Sequence, residues 1–390
     1  MSASAAQIRS FSSDTSGSES ASPVPSFTLL PSPQTSAPAS ATPVASETPT
    51  ALTIPTPSNL GVVPHQLYYV TDREPSNNPP PFGNQPSEEC IDLFECIEHY
   101  GSIEPRENAT TPAASFQELT SEIDLYFLAH PELPRELVIY IHGCCSDFTT
   151  ATSDARIIGS VMTHLPVILY SFPARPSSVL LMRSDYTSDE TESAWSTVHL
   201  AYLLDSLLTS FPAQPVQLDI MAHSLGNRVL LPALQQFAGE HSDLVGNARR
   251  INTILFMAPD VDQATFVEST AVLQSLANSI DVYRSAIDVV VKTSQVIHEH
   301  PRLGLTNPGF DGRDRLYALD ASTFVCGPSP ELLSGHFYWK ASTIVEKDIS
   351  LALQGVTPDQ QDRAAALHRV GLYAWKFAPP RGMRDSCIHV

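Results

Sequence analysis

The most constraining feature of the chain is a series of short apolar runs with helix-period segments between them. Leu137–Ile141, Pro166–Tyr170, Val216–Met221 and Ile251–Met257 form the series, and Ile280–Tyr283 and Leu316–Leu319 continue it. Consecutive apolar residues leave a strand no polar face, so it must be covered on both sides. A parallel sheet between two layers of helices meets that condition. In Trp195–Leu208, Trp195, Val198, Tyr202 and Leu208 recur near a 3.6-residue period and predict a helix. Asp185–Glu192, rich in Ser, Thr and acid, supplies N-cap candidates for it. Val229–Phe237 and Ala264–Leu276 predict two further helices. The alternation specifies an α/β fold: an open, mostly parallel sheet with helices on both faces. Leu67–Val70 predicts an earlier strand, and the proline-rich stretch Pro75–Pro86 a surface loop.

Residues 1–60 differ in kind. Roughly two thirds of them are Ser, Thr, Pro or Ala, and Arg9, Asp14, Glu19 and Glu47 are their charged residues. Such a segment cannot bury enough apolar surface to offset its chain entropy. It is expected to be a disordered, partly polyproline tail, with residues 61–390 forming one domain.

Composition narrows the function classes. The 390 residues carry 22 Lys and Arg against 42 Asp and Glu, a net charge of −20. Nucleic acid and anionic lipid both call for a clustered positive field, so neither is expected as a partner. No apolar run approaches the ~18–20 residues of a membrane span. Met1–Ala5 lacks the basic start of a secretory signal, and six cysteines do not make a disulfide framework in a chain of this length. The expectation is a soluble cytoplasmic protein acting on a small molecule. Cys90 and Cys96 are read as two buried thiols, and the Asn108 sequon has meaning only in a secreted eukaryotic protein.

One segment carries chemistry. Val216–Met221 leads into Ala222-His223-Ser224-Leu225-Gly226 and then an apolar helix. Strand, tight turn and helix with Ser at the turn is the nucleophile-elbow pattern, here with Ala222 in place of the first Gly. Small residues two positions either side of the serine let strand and helix pass close together. The helix start behind Ser224 offers free N–H groups, so the Leu225 N–H is a candidate oxyanion donor. The bland alternative is that Ser224 merely caps a helix.

A second donor is expected after an earlier strand. Ile141-His142-Gly143-Cys144-Cys145 ends the first strong strand, and the Cys144 N–H is assigned that role. A catalytic thiol at Cys144 or Cys145 is the sharper alternative, but no positive group is evident to activate it. Serine also needs a base and an orienting carboxylate. His336 follows the last expected strand, Leu316–Leu319, by a loop and is the candidate base; His298, His300, His368 and His389 stand in the wrong place along the chain. Asp288, after the Ile280–Tyr283 strand, is the favoured acid, and Asp260 the alternative. His298-Glu299-His300 lacks further partners at metal-ligand spacing. Neither a metal nor an organic cofactor is called for.

Together these segments resemble the α/β-hydrolase superfamily. Finer matches are similar to one mostly bacterial branch, first catalogued as a domain of unknown function. They are Tyr69-Val70-Thr71-Asp72-Arg73, Ile141-His142-Gly143, Tyr170-Ser171-Phe172-Pro173, Ala222–Arg228, Ala258-Pro259-Asp260-Val261-Asp262, Pro301-Arg302-Leu303-Gly304, Leu319-Asp320-Ala321-Ser322 and Gly335-His336. The resemblance implies an α/β-hydrolase fold and catalytic roles for Ser224, His336 and Asp288. The paired cysteines after Gly143, and Ala286-Ile287 before Asp288, depart from the branch. The expectation is a serine hydrolase that cleaves a small or short-chain carboxylic ester through an acyl-enzyme, in an open cleft. A thioesterase, amidase or acyltransferase with the same triad remains open, as does a non-catalytic binding protein on the same fold.

Overall fold

In the computed structural model, the described residues are 66–77, 79–87, 99–103, 110–162, 165–176, 182–211, 214–241, 251–310, 314–324 and 334–378. The expectations for the 1–60 tail, Cys90, Cys96, Asn108 and His389 lie outside them.

The strands are β1 Leu67–Thr71, β2 Arg73–Pro75, β3 Phe82–Pro86, β4 His99–Ile103, β5 Thr110–Pro112, β6 Glu136–Ile141, β7 Val167–Ser171, β8 Gln217–His223, β9 Ile251–Met257, β10 Ala277–Arg284, β11 Leu316–Asp320, β12 Leu367–Arg369 and β13 Ala374–Phe377. The helices are α1 Phe116–Ala129, α2 Phe148–Met162, α3 Met182–Thr209, α4 Gly226–Glu240, α5 Gln263–Leu276, α6 Val289–His298, α7 Tyr338–Ala341, α8 Thr343–Leu353 and α9 Gln361–Ala364.

An eleven-stranded sheet runs in the order β12-β13-β11-β10-β9-β8-β6-β7-β1-β4-β5. Neighbours from β13 to β1 are parallel, and the two ends of the sheet are antiparallel. Register explains why the central strands are apolar throughout. Ile139 lies level with Ile168 and Ile220, Ile220 with Ile254, and Ile254 with Ile280. These residues pack on one face with Leu203, Val229, Phe266 and Leu273 from α3, α4 and α5. Their sequence neighbours Val138, Tyr140, Met221 and Leu255 pack on the other, with Phe148 and Ala155 of α2 and Val345 and Ile349 of α8. Successive strand side chains point to opposite faces, so two cores demand apolar residues at both parities.

Three expectations need correction. Pro75–Pro86 is not simply a loop, because Phe82–Pro86 pairs antiparallel with β2. Leu316–Leu319 is not the last strand, since β12 and β13 extend the sheet beyond it. The Asp185–Glu192 segment does not precede the third helix but lies inside α3. Within it Thr191 Oγ1 donates back to Thr187 O (3.2 Å), as Ser193 Oγ just beyond it does to Glu190 O (2.8 Å).

Because β6, β8, β9 and β10 are adjacent and parallel, their carboxyl ends share one edge. His142, Ser224, Asp260 and Asp288 all follow those ends, which is where open α/β sheets place their sites.

Candidate active site

β8 ends at His223 and α4 begins at Gly226, which leaves Ser224 and Leu225 to make the turn. Ser224 has φ 53°, in the left-handed region that costs a non-glycine residue about 1–3 kcal/mol. Several hydrogen bonds hold it there. Its N–H donates to Met257 O (2.9 Å), and its carbonyl accepts from Asn227 N (3.1 Å) and Asp260 N (3.3 Å). Asn227 Nδ2 donates to the same carbonyl (2.9 Å) and reaches Met257 O (3.2 Å). Asn227, one step past the elbow motif, thus braces the strained turn.

The need for small residues has a direct cause. A Cβ on Gly226 would lie 2.2 Å from His142 O and 2.9 Å from Ile141 O, so the start of α4 rides against the end of β6. A Cβ on Gly143 would lie 2.8 Å from Ser224 Cβ and 3.0 Å from His223 Nδ1. The His142–Cys145 loop is therefore pressed directly against the serine. The Leu225 N–H stands at the start of α4, where helix donors lack intrahelical acceptors.

Asp288 caps α6 and faces a histidine at once. Its Oδ1 accepts from Val291 N (2.9 Å), and its Oδ2 lies 2.7 Å from His336 Nδ1. Val289 N donates to Ser334 O (2.9 Å), and Ser334 Oγ accepts from His336 N (3.2 Å), tying the histidine loop to the helix of the acid. With a carboxylate as acceptor, Nδ1 carries the hydrogen and Nε2 keeps its lone pair, the tautomer a proton acceptor needs. Ser224 and His336 are each 2% exposed and Asp288 is fully buried. That enclosure is tighter than the open cleft expected. The Gly143 loop on one side and the rings of His223 and Phe337, 4.7 and 5.0 Å from His336, close it.

Asp260 is turned to other work. Its carboxylate binds Tyr186 Oη and Ser294 Oγ (2.5 Å), with Arg302 Nε at 3.5 Å and Arg228 Nη2 at 3.9 Å. Arg228 Nε also donates to Asp260 O (2.8 Å). A cavity of about 1150 Å³ lined by Arg228, Val261, Gln263, His298, Arg302 and Pro308 lies beside this network, and neither Ser224 nor His336 lines it. His298 Nε2 faces Glu190 at 3.6 Å.

Sequence reasoning missed the supports. His223 Nε2–H donates to the His336 carbonyl (3.3 Å), and burial, with His336 and Lys340 nearby, holds the His223 ring neutral. Tyr338 Oη donates to Tyr283 O (2.8 Å) and accepts from Ala258 N (2.6 Å), joining the ends of β9 and β10 to the His336 segment. Arg73, fully buried, spans the other flank. It donates to Ser171 Oγ (2.9 Å), Ala174 O (3.1 Å) and Ser146 O (2.7 Å), and lies 3.2 Å from His142 Nε2. Burial lowers its pKa to about 10, so it stays charged at neutral pH. Burial and the Arg73 charge push His142 down to about 3. The available signal was a charged residue directly after a buried strand, in Tyr69–Arg73.

Cys144 and Cys145 are both partly exposed, with Sγ atoms 3.1 Å apart. The contact with Cys145 and burial push the Cys144 thiol up, which weighs against a nucleophilic thiolate there. The Cys145 N–H is engaged by Asp189 Oδ2 (2.9 Å). Among the described residues no group of three or more His, Cys, Asp or Glu side chains is placed to hold a metal ion. None of their helices is long and apolar enough to cross a membrane.

Residues 126–318 match a family described as alpha/beta hydrolase of unknown function, DUF900. No curated protein matches the chain. Among solved structures, that of esterase PE8 is 13% identical, covers 57% of this chain and 94% of its own, and superposes with a TM-score of 0.34. The mostly parallel sheet, the serine turn between β8 and α4 and the family match agree: the chain has the fold of an α/β hydrolase.

Proposed function

We propose that the protein is a serine hydrolase that cleaves a carboxylic ester. The observation that carries this is the left-handed Ser224 turn on the same sheet edge as the buried His336–Asp288 pair. Ser224 Oγ attacks the acyl carbonyl while His336 Nε2 takes its proton. The imidazolium forms with its Nδ1–H on Asp288, which stays ionised and orients the ring. The N–H groups of Leu225 and Cys144 hold the oxyanion, and each such donor contributes about 10²–10³ in rate in comparable sites. His336 returns the proton to the leaving alcohol, then activates the water that cleaves the acyl-serine.

The helix α5 nearly fills the stretch between Asp260 and β10, which leaves no room there for an inserted lid domain. Together with the enclosed site, this supports a small or short-chain acyl group. The test is a panel of p-nitrophenyl esters from acetate to palmitate, with wild type and Ser224→Ala side by side. Turnover of the short esters that disappears in Ser224→Ala is expected. Turnover of thioesters or anilides but not esters would change the scissile bond. A folded protein inert on every acyl substrate would favour a binding role.

A further inference from the structure

We propose that Cys144 and Cys145 form an oxidation site, at which a small peroxide converts the two thiols to a vicinal disulfide and so withdraws the oxyanion loop from Ser224. The effect on activity rests on the serine-hydrolase reading above; the thiol chemistry does not.

The two sulfurs are already in contact, 3.1 Å apart, and both residues are partly exposed. Bonding brings them to about 2.05 Å. With hydrogen peroxide the step balances as two thiols plus one peroxide giving one disulfide and two waters. The first sulfur, as thiolate, attacks the peroxide; an S–O bond forms, the O–O bond breaks, and hydroxide leaves and takes up the proton that the thiol released, giving water. The second thiol attacks that sulfenic sulfur; an S–S bond forms, the S–O bond breaks and a second water leaves. Two electrons pass from the thiols to the peroxide.

The geometry couples this bond to the site. Adjacent Cα atoms lie about 3.8 Å apart, below the ~4.4–6.8 Å of ordinary disulfides, so the ring closes only with movement of the 144–145 peptide. That peptide is not slack. Cys145 already sits at φ 64°, and its N–H is held by Asp189 Oδ2 (2.9 Å). The other oxygen of Asp189 accepts from Arg175 N (3.1 Å). Turning the peptide takes one of these N–H donors from a carboxylate that burial already pushes up. Gly143, one residue earlier, has no room to shift toward Ser224, where even a Cβ would come within 2.8 Å. The loop must move outward, and the Cys144 N–H goes with it. A disulfide under such strain is readily reduced, which makes the change reversible.

The experiment uses the full chain, reduced and then treated with hydrogen peroxide at low molar excess. Peptide mapping is expected to show the Cys144–Cys145 peptide lighter by about 2 Da. Fluorophosphonate labelling of Ser224 is expected to fall by about 100-fold, the effect of losing one oxyanion donor, and to return with dithiothreitol. Cys145→Ser should label equally well before and after peroxide. Its four cysteines outside the pair report damage elsewhere. Sulfinic acids in place of the 2 Da loss would overturn the proposal. So would a disulfide that leaves labelling unchanged. A reduced protein that never labels would overturn the serine-hydrolase reading, and the switch with it, while the mass shift would still decide the thiol chemistry.

Discussion

Replacing Asp288 by Asn removes one charge and leaves the shape intact. In the native site one oxygen of Asp288 caps α6 through Val291 N (2.9 Å) and the other meets His336 Nδ1 (2.7 Å). Asn caps helices about as well as Asp, so the Val291 bond survives through its Oδ1. Its amide nitrogen then faces His336 Nδ1. Two donors cannot share that line, so the imidazole takes the other tautomer and carries its hydrogen on Nε2. That atom must accept the Ser224 proton. The imidazolium also loses its counter-charge in a site where both partners are almost wholly buried. The expected loss is about 10³–10⁴ in kcat, as for comparable triads. At about 1.36 kcal/mol per decade this is about 4–5.5 kcal/mol of transition-state stabilisation. KM should move by no more than a few-fold, and urea stability by about 1 kcal/mol or less. Asp260→Asn is the contrasting variant. It disturbs the network of Tyr186, Ser294 and Arg302, so it should cost about 1–3 kcal/mol of stability and less than about tenfold in kcat. Stopped-flow ester turnover and urea titration on both variants decide the matter. An Asp288→Asn enzyme that keeps more than about a tenth of its kcat would refute the reasoning, given the magnitude above.

Gly143→Ala pushes a methyl to within 2.8 Å of Ser224 Cβ, so kcat should fall by about 100-fold through the displaced loop, measured on the same ester. Arg363→Met strands two buried carboxylates, Asp281 (2.7 Å) and Asp348 (2.9 Å), and should cost about 3–5 kcal/mol in urea unfolding without changing the activity of the folded fraction. Acid should unfold the protein through His142. Its folded pKa of about 3 lies below the ~6.5 of an unfolded histidine, so the unfolded chain binds the proton first. That stability is complete above about pH 6.5 and is lost as pH falls, by about 2.7 kcal/mol at pH 4.5. Urea midpoints that stay level between pH 7 and 4.5 would contradict the neutral, buried His142.

The central strands and the elbow were legible because both are local. An apolar run needs only its own residues to declare a twice-covered strand, and Ala222–Gly226 is written in five consecutive positions. The pairing of Asp288 with His336 was legible only by chain order and resemblance. The 2.7 Å contact joins residues 48 positions apart, and Asp260 offered the same residue type on the same edge. The separation of their roles depends on Tyr186, Ser294 and Arg302, which arrive from three other segments. The long α3 was underestimated because Ser, Thr and Asp read as cap residues in isolation. Here Thr191 and Ser193 bond back to the helix, and Asp189 faces the Cys145 and Arg175 N–H groups instead. β3 and β4 carry few apolar residues, and β13 is only the four residues Ala374–Phe377, so these strands left little trace.

The central claim is that Ser224 is an activated nucleophile. The most direct measurement is the mass of the full chain after exposure to a fluorophosphonate, followed by peptide mapping. The account predicts one adduct per chain, on the peptide containing Ser224, and none in Ser224→Ala. A folded wild-type protein that takes up no adduct, or a Ser224→Ala protein that still does, would contradict it.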